Sequence, residues 1–251
     1  MTTSDQPVPP FTSSTARPPR YRSLRTPPIA FAHRGAKAHA PENTIEAFRL
    51  ALRLGATGLE SDVFMTGDGV PVLDHDGVVG SVLRKRSICD IKRRDLPDHI
   101  PTLTELYDAV GSDFELSLDI KDPAALDAVV EVSRQVDAEE RLWLCHPALD
   151  VLSSWRQKTS AQLVNSVRVT KISEGLELRA AKLADIGIDA INMRYPDWNA
   201  GHVSVVHRFE LYALGWDAQQ HREIAALYDM GLDGVFSDHV DRLSETLALF
   251  Y

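Results

Sequence analysis

Two histidines, an arginine and a set of carboxylates fall between positions 33 and 76: His33-Arg34-Gly35, Pro41-Glu42-Asn43-Thr44, Glu60-Ser61-Asp62 and His75-Asp76. Such residue types together suit metal-assisted phosphoryl transfer. Carboxylates hold a hard cation, an arginine binds phosphate oxygens, and two imidazoles move protons near neutral pH. Farther along, Asp119 and Lys121 repeat the two-residue spacing of Glu60 and Asp62 and add a third carboxylate and a cation. Lys121 also invites a plainer reading, as a salt-bridge partner for Glu60.

These groups act together only if the chain brings them to one place. After residue 28, apolar runs of strand length alternate with stretches of helical period, the pattern of an α/β fold on a parallel sheet. Strands are expected at residues 29–33, 58–64, 114–121, 142–146, 162–166, 188–193, 210–215 and 234–237. Helices are expected at 44–54, 124–136, 148–158, 175–186, 200–207, 218–231 and 240–250, with Asn43 or Thr44 capping the first. Eight β/α units in about 220 residues predict a TIM (β/α)8 barrel. A doubly wound open sheet is the competitor, but the Gly-x-Gly-x-x-Gly turn of its nucleotide-binding form does not follow the first strand.

In a barrel, strand C-termini form the active face. His33 and Arg34 close the first strand. Glu60 and Asp62 share one face of the second because strand side chains alternate with period two, and two like charges there call for a divalent cation. Oxygen donors without a nearby Cys or His pair favour Mg²⁺ or Ca²⁺ over zinc. Trp216, at the end of the seventh strand, can line the pocket against an apolar part of a substrate. His39, His99, His146, His202, His207, His221 and His239 are read as surface or satisfied core residues.

The stretch of roughly 70–102 does not fit a simple unit and is expected to be an insertion after the second strand, with an extra strand at Pro71-Val72-Leu73 and basic runs on a solvated face. Residues 1–28 hold seven of the fourteen prolines and nine Ser or Thr, the composition of a disordered leader ahead of one barrel domain at 29–251. The leader lacks the apolar middle segment of a secretory signal, so the expected location is cytoplasmic. No apolar run approaches the ~20 residues of a transmembrane helix. At −9 net charge, with 44% hydrophobic and 25% charged residues, the 251-residue chain is composed like a globular protein and is poorly suited to nucleic acid or anionic membrane. Cys89 and Cys145 lack metal-ligand spacing and read as two buried free thiols.

In this order and spacing, the residues resemble the glycerophosphodiester phosphodiesterase family. The likeness is densest over 32–76 and continues through Ile100-Pro101-Thr102-Leu103, Leu118-Asp119-Ile120-Lys121, Trp216 and the run from Gly231 to Asp238. The resemblance implies a TIM barrel that hydrolyses glycerophosphodiesters to glycerol 3-phosphate and an alcohol with one divalent cation, Mg²⁺ or Ca²⁺. It implies His33 and His75 as the acid/base pair and Glu60 and Asp62 as metal ligands. Arg34 would contact phosphate, Glu42 would bind metal or order the site, and Lys121 would support the anion. Asp119 stands where the family has glutamate as third ligand. Trp216-Asp217-Ala218-Gln219 departs from the family's Trp-Thr-Val-Asn, and the usual threonine-rich stretch after His75-Asp76 is missing. The resemblance leaves the nucleophile open between water and the substrate's 2-hydroxyl. Two alternatives are carried: the same chemistry on a lysophospholipid, and a non-catalytic phosphate-ester binding protein.

Overall fold

The structure is a computed structural model that describes residues 18–80 and 84–251. Eight parallel strands close a barrel: β1 (Ile29–Ala32), β2 (Gly58–Met65), then, beyond the insertion strands β3 (Pro71–Leu73), β4 (Val78–Val79) and β5 (Arg86–Ser87), β6 (Glu115–Ile120), β7 (Leu142–His146), β8 (Gln162–Ser166), β9 (Ala190–Arg194), β10 (Tyr212–Trp216) and β11 (Gly234–Ser237). Closure comes from β1, which pairs in parallel with β11 on one side and β2 on the other. The helices are α1 (Ile45–Arg53), α2 (Leu103–Val110), α3 (Leu126–Gln135), α4 (Leu149–Arg156), α5 (Leu176–Asp185), α6 (Ala200–Arg208), α7 (His221–Asp229) and α8 (Val240–Leu247). All eight expected barrel strands are present. Helix α2 is an addition to the expected set, and its signal was in the sequence: Thr102 and Glu105 form a reciprocal capping box.

Period two along the strands sorts the side chains into two layers. Ile29, Phe31, Trp143, Cys145, Val164, Ala190, Leu214 and Phe236 fill the barrel, with Phe31 stacked on Phe236 at 4.4 Å between ring centroids. The alternate residues, such as Leu59, Val63, Leu116 and Leu118, pack outward with helix residues including Phe48, Leu106 and Leu243. A barrel plugged this way offers open space only at its ends.

At the N-terminal end, the expected leader boundary at residue 28 needs correction. Residues 1–17 lie outside the described residues, but the stretch from Arg20 onward is tied to the barrel. Its anchor is Asp233, fully buried, which accepts from Ser23 Oγ at 2.6 Å, Leu24 N at 2.7 Å and Arg25 N at 3.1 Å through one oxygen. The other oxygen accepts from Ala213 N at 2.7 Å and meets His207 Nε2 at 2.9 Å. A buried carboxylate with that many donors fixes the backbone that supplies them. Arg25 also pairs with Glu115. Composition alone could not reveal an anchor 208 or more residues away.

The insertion folds over the opposite end. β3 runs antiparallel to β2, β4 pairs with β5, and Val72, Ile88, Ile91, Leu96 and Ile100 form a small core of their own. Both cysteines are free as expected, but Cys89 in this insertion is exposed and only Cys145 is buried. The Ile88–Asp90 turn directs Ile88, not its neighbour, into that core. Among the described residues no helix is long and apolar enough to cross a membrane.

Candidate active site

The loop after β1 depends on two left-handed residues, Arg34 at φ 51° and Gly35 at φ 76°. A Cβ at Gly35 would come within 2.8 Å of the Ala47 carbonyl carbon, so only glycine lets this loop lie on the first turn of α1. Thr44 caps that helix, accepting from Ala47 N at 3.2 Å. The turn aims Arg34 N at Glu60 Oε2 (2.8 Å) and lays the guanidinium beside Asp62, with Nε 3.6 Å from Oδ2.

Glu60, Asp62 and Asp119 form an acidic shelf. Each offers an oxygen, and these atoms lie within 4.8 Å of one another. Asp62 and Asp119 are register partners on adjacent strands, which brings the shorter aspartate side chain to the shelf directly from the neighbouring backbone. Burial pushes the Glu60 carboxyl up to about 8, with Asp62 and Asp119 adding to the rise against the pull of His33. Burial likewise raises Asp62, opposed by Lys121. Asp62 Oδ2 is buried with no hydrogen-bond partner. A closely packed acidic group with an orphaned oxygen fits a hard divalent cation.

Lys121 reaches the shelf, though not as the partner of Glu60. Its Nζ lies 2.7 Å from Asp62 Oδ1 and 3.2 Å from Asp119 Oδ2, because its backbone sits beside Val63, one residue past Asp62. Glu42 is not among the three converging carboxylates. It accepts from Arg34 Nη1 at 3.2 Å on both oxygens and pairs with Lys37 Nζ at 3.0 Å, so it holds the arginine in place.

His33 Nδ1 lies 2.5 Å from Asp238 Oδ1, and Nε2 lies 3.8 Å from Glu60 Oε2. Burial by itself would lower this imidazole, but Glu60 and Asp238 outweigh it and hold the pKa above the ordinary value. His75 follows β3, where Asp74 N donates to Asp62 O at 3.1 Å and draws the turn toward the barrel mouth. Its Nδ1 lies 2.8 Å from Asp76 Oδ1.

One cleft of about 200 Å³ is lined by His33, Arg34, Glu60, Asp62, His75, Asp119, Lys121 and Trp216, together with Ser117, Ser166, Asn192 and Phe236. All the expected site residues but Glu42 therefore meet. Ser166 and Asn192 went unnoticed in the sequence, although Ser166 ends β8 and Asn192 lies mid-way along β9, both at the inward parity that marked Glu60 and Asp62. Asn192 is 5% exposed with Oδ1 unpartnered, and the Trp216 indole Nε1 is buried without a partner, so the far wall offers one free acceptor and one free donor. Asp238 was also missed as a site residue. Its role depends on contact with His33, 205 positions away.

A family model described as glycerophosphoryl diester phosphodiesterase family matches residues 33–242. A glycerophosphodiester phosphodiesterase of Caldanaerobacter subterraneus subsp. tengcongensis is 32% identical over 135 residues, 45% of this chain and 56% of that protein. Glycerophosphodiester phosphodiesterase 1 of Homo sapiens is 37% identical over 110 residues, 37% of this chain and 33% of that protein. The matched stretch thus spans about half of the first relative and a third of the second. Among solved structures, a glycerophosphodiester phosphodiesterase from Thermotoga maritima superposes with a TM-score of 0.76 at 25% identity, over 86% of this chain and 97% of that one.

Proposed function

This chain belongs to the glycerophosphoryl diester phosphodiesterase family, and on that premise we propose that it hydrolyses glycerophosphodiesters to glycerol 3-phosphate and an alcohol, with one divalent cation and with His33 and His75 as the proton-transfer pair. The observation that carries the reading is the convergence of the three shelf carboxylates, Arg34, Lys121 and both histidines on one cleft. The walls also support a small, water-soluble diester over a lysophospholipid. Of the large apolar residues exposed on the described surface, Tyr21, Leu24, Leu178, Leu249 and Tyr251, none lines the cleft.

Glu60, Asp62 and Asp119 would hold Mg²⁺ or Ca²⁺, which when bound polarises phosphoryl oxygens as a Lewis acid. Arg34, fixed by Glu42 and close to Asp62, presents its fork to the phosphate. Lys121 adds a point charge at the shelf edge while keeping Asp62 oriented. Asp238 holds the Nδ1 side of His33 and leaves Nε2 facing the shelf, the orientation needed to pass a proton at the reacting phosphate. His75, on its own loop, then supplies the complementary proton transfer at the opposite oxygen, a contribution typically of about 10² to 10⁴ in rate. Trp216 and Phe236 provide flat apolar surface for the glycerol carbons, and Asn192 provides an acceptor for a hydroxyl.

The test is ³¹P NMR of the purified chain with glycerophosphocholine, glycerophosphoethanolamine and glycerophosphoglycerol. Glycerol 3-phosphate should appear with Mg²⁺ or Ca²⁺ and cease to form on chelation, and an intervening cyclic glycerol phosphate would identify the 2-hydroxyl as nucleophile. Absence of product from all three with either cation defeats the reading.

A further inference from the structure

Outside the cleft, only one other group of His, Cys, Asp or Glu donors converges in threes among the described residues: His39, His239 and Asp241. We propose that these three residues form a second cation site, taking a borderline transition-metal ion of the Zn²⁺ class. The chemistry differs from that of the shelf. Two imidazoles and one carboxylate suit Zn²⁺, Co²⁺ or Ni²⁺, whereas three carboxylates suit Mg²⁺ or Ca²⁺.

The fold builds the cluster from two segments. His39 sits in the loop after β1, placed by its own N–H donating to Ala36 O at 2.8 Å and by Ala38 N donating to Asp238 O at 3.1 Å. His239 is the N-cap residue of α8 and Asp241 lies in its first turn. His39 Nε2 is already 2.9 Å from Asp241 Oδ1, and the two imidazole rings stand 6.0 Å apart at 85°. All three donor atoms fall within 4.8 Å of one another. Bonds of about 2.0–2.2 Å around one ion require donors about 3.4 Å apart, a closure that imidazole rotation at an open surface can supply. The His39 and Asp241 side chains are 34% and 40% exposed, so an ion has access.

A hydrogen-bonded staple between the loop and α8 accounts for His39 and Asp241 and leaves His239 only an edge-on ring contact with His39. An ion uses all three. Its place in the fold also gives it a neighbour of consequence, since His239 directly follows Asp238, the residue that holds His33.

Co²⁺ is the probe, added to the full, untagged chain carrying Glu60→Gln and Asp119→Asn so that the shelf does not compete. The expected result is one equivalent bound with visible d–d absorption, insensitive to millimolar Mg²⁺, with affinity reduced about tenfold or more by His39→Ala and by His239→Gln. Circular dichroism verifies that each variant is folded, and Asp241→Asn replaces either one that is not. Unchanged Co²⁺ binding in these variants, or displacement by Mg²⁺, overturns the proposal. Neither measurement reads hydrolysis, so this inference and the proposed activity fail separately.

Discussion

Cation binding at the acidic shelf should release close to one proton. Burial beside Asp62 and Asp119 raises the Glu60 carboxyl to about 8 in the metal-free protein, so at pH 7 the protonated form predominates there. A ligating carboxylate must be ionised, and the cation has to displace that proton. Calorimetric titration with Mg²⁺ in two buffers of different ionisation enthalpy should show proton release at pH 7 that falls away by pH 9, above the Glu60 pKa. Stability supplies an independent measurement. Because the folded-state pKa of Glu60 lies above its ordinary 4.5, the folded metal-free chain binds more protons than the unfolded chain between pH 4.5 and 8. This contribution is complete below 4.5 and is lost as pH rises toward 8, with a slope of at most about 1.4 kcal/mol per pH unit. Saturating cation or Glu60→Gln should flatten that slope in urea unfolding at pH 5 and 8. Proton release below about 0.2 at pH 7 would refute the argument, since it would mean that Glu60 is ionised before the cation arrives or is not a ligand.

His33→Ala and His75→Ala should each lower kcat by about 10² or more with little change in the thermal midpoint, because neither imidazole belongs to the packed core; wild-type turnover by either variant removes it from the mechanism. Glu139 accepts from Arg134 Nε at 2.7 Å and Thr159 Oγ1 at 2.6 Å, and these donors overcome its burial to hold the carboxyl at about 2. Its stabilisation is therefore present above pH 4.5 and lost as pH falls toward 2. Glu139→Gln should cost about 1.5–3 kcal/mol at pH 7, and an equal deficit at pH 2.5 would contradict that assignment. Glycerophosphocholine should be turned over in strong preference to lysophosphatidylcholine, and the reverse preference in a direct competition assay would favour the lipid reading.

The barrel was legible because each strand carries its own signal. An apolar run with period-two polar interruptions names both the strand and the face that looks inward, and helices such as the one capped at Thr44 announce their starts locally. What escaped was stabilised from a distance. The docked segment after Arg20 is polar and proline-rich, and its order comes from Asp233 on the opposite end of the chain. Helix α2 escaped for a different reason: its capping box was local, but it adjoined an insertion whose irregular pattern obscured where the barrel resumed.

The site divides along the same line, and the division shows what sequence can specify. Parity on a strand fixes direction, so Glu60, Asp62, Asp119 and Lys121 could be assigned to one cavity before any contact was known. Parity does not fix partners. Lys121 engages Asp62 and Asp119 instead of Glu60 because parallel register sets Asp119 beside Asp62 and carries the lysine one step beyond. That register also explains why an aspartate can stand where the family has a glutamate. A side chain one methylene shorter reaches the shelf when its backbone is already the direct neighbour of the residue it must join. Substituting Asp119→Glu would add a methylene beside Lys121, and a weakened Lys121 contact is the expected consequence.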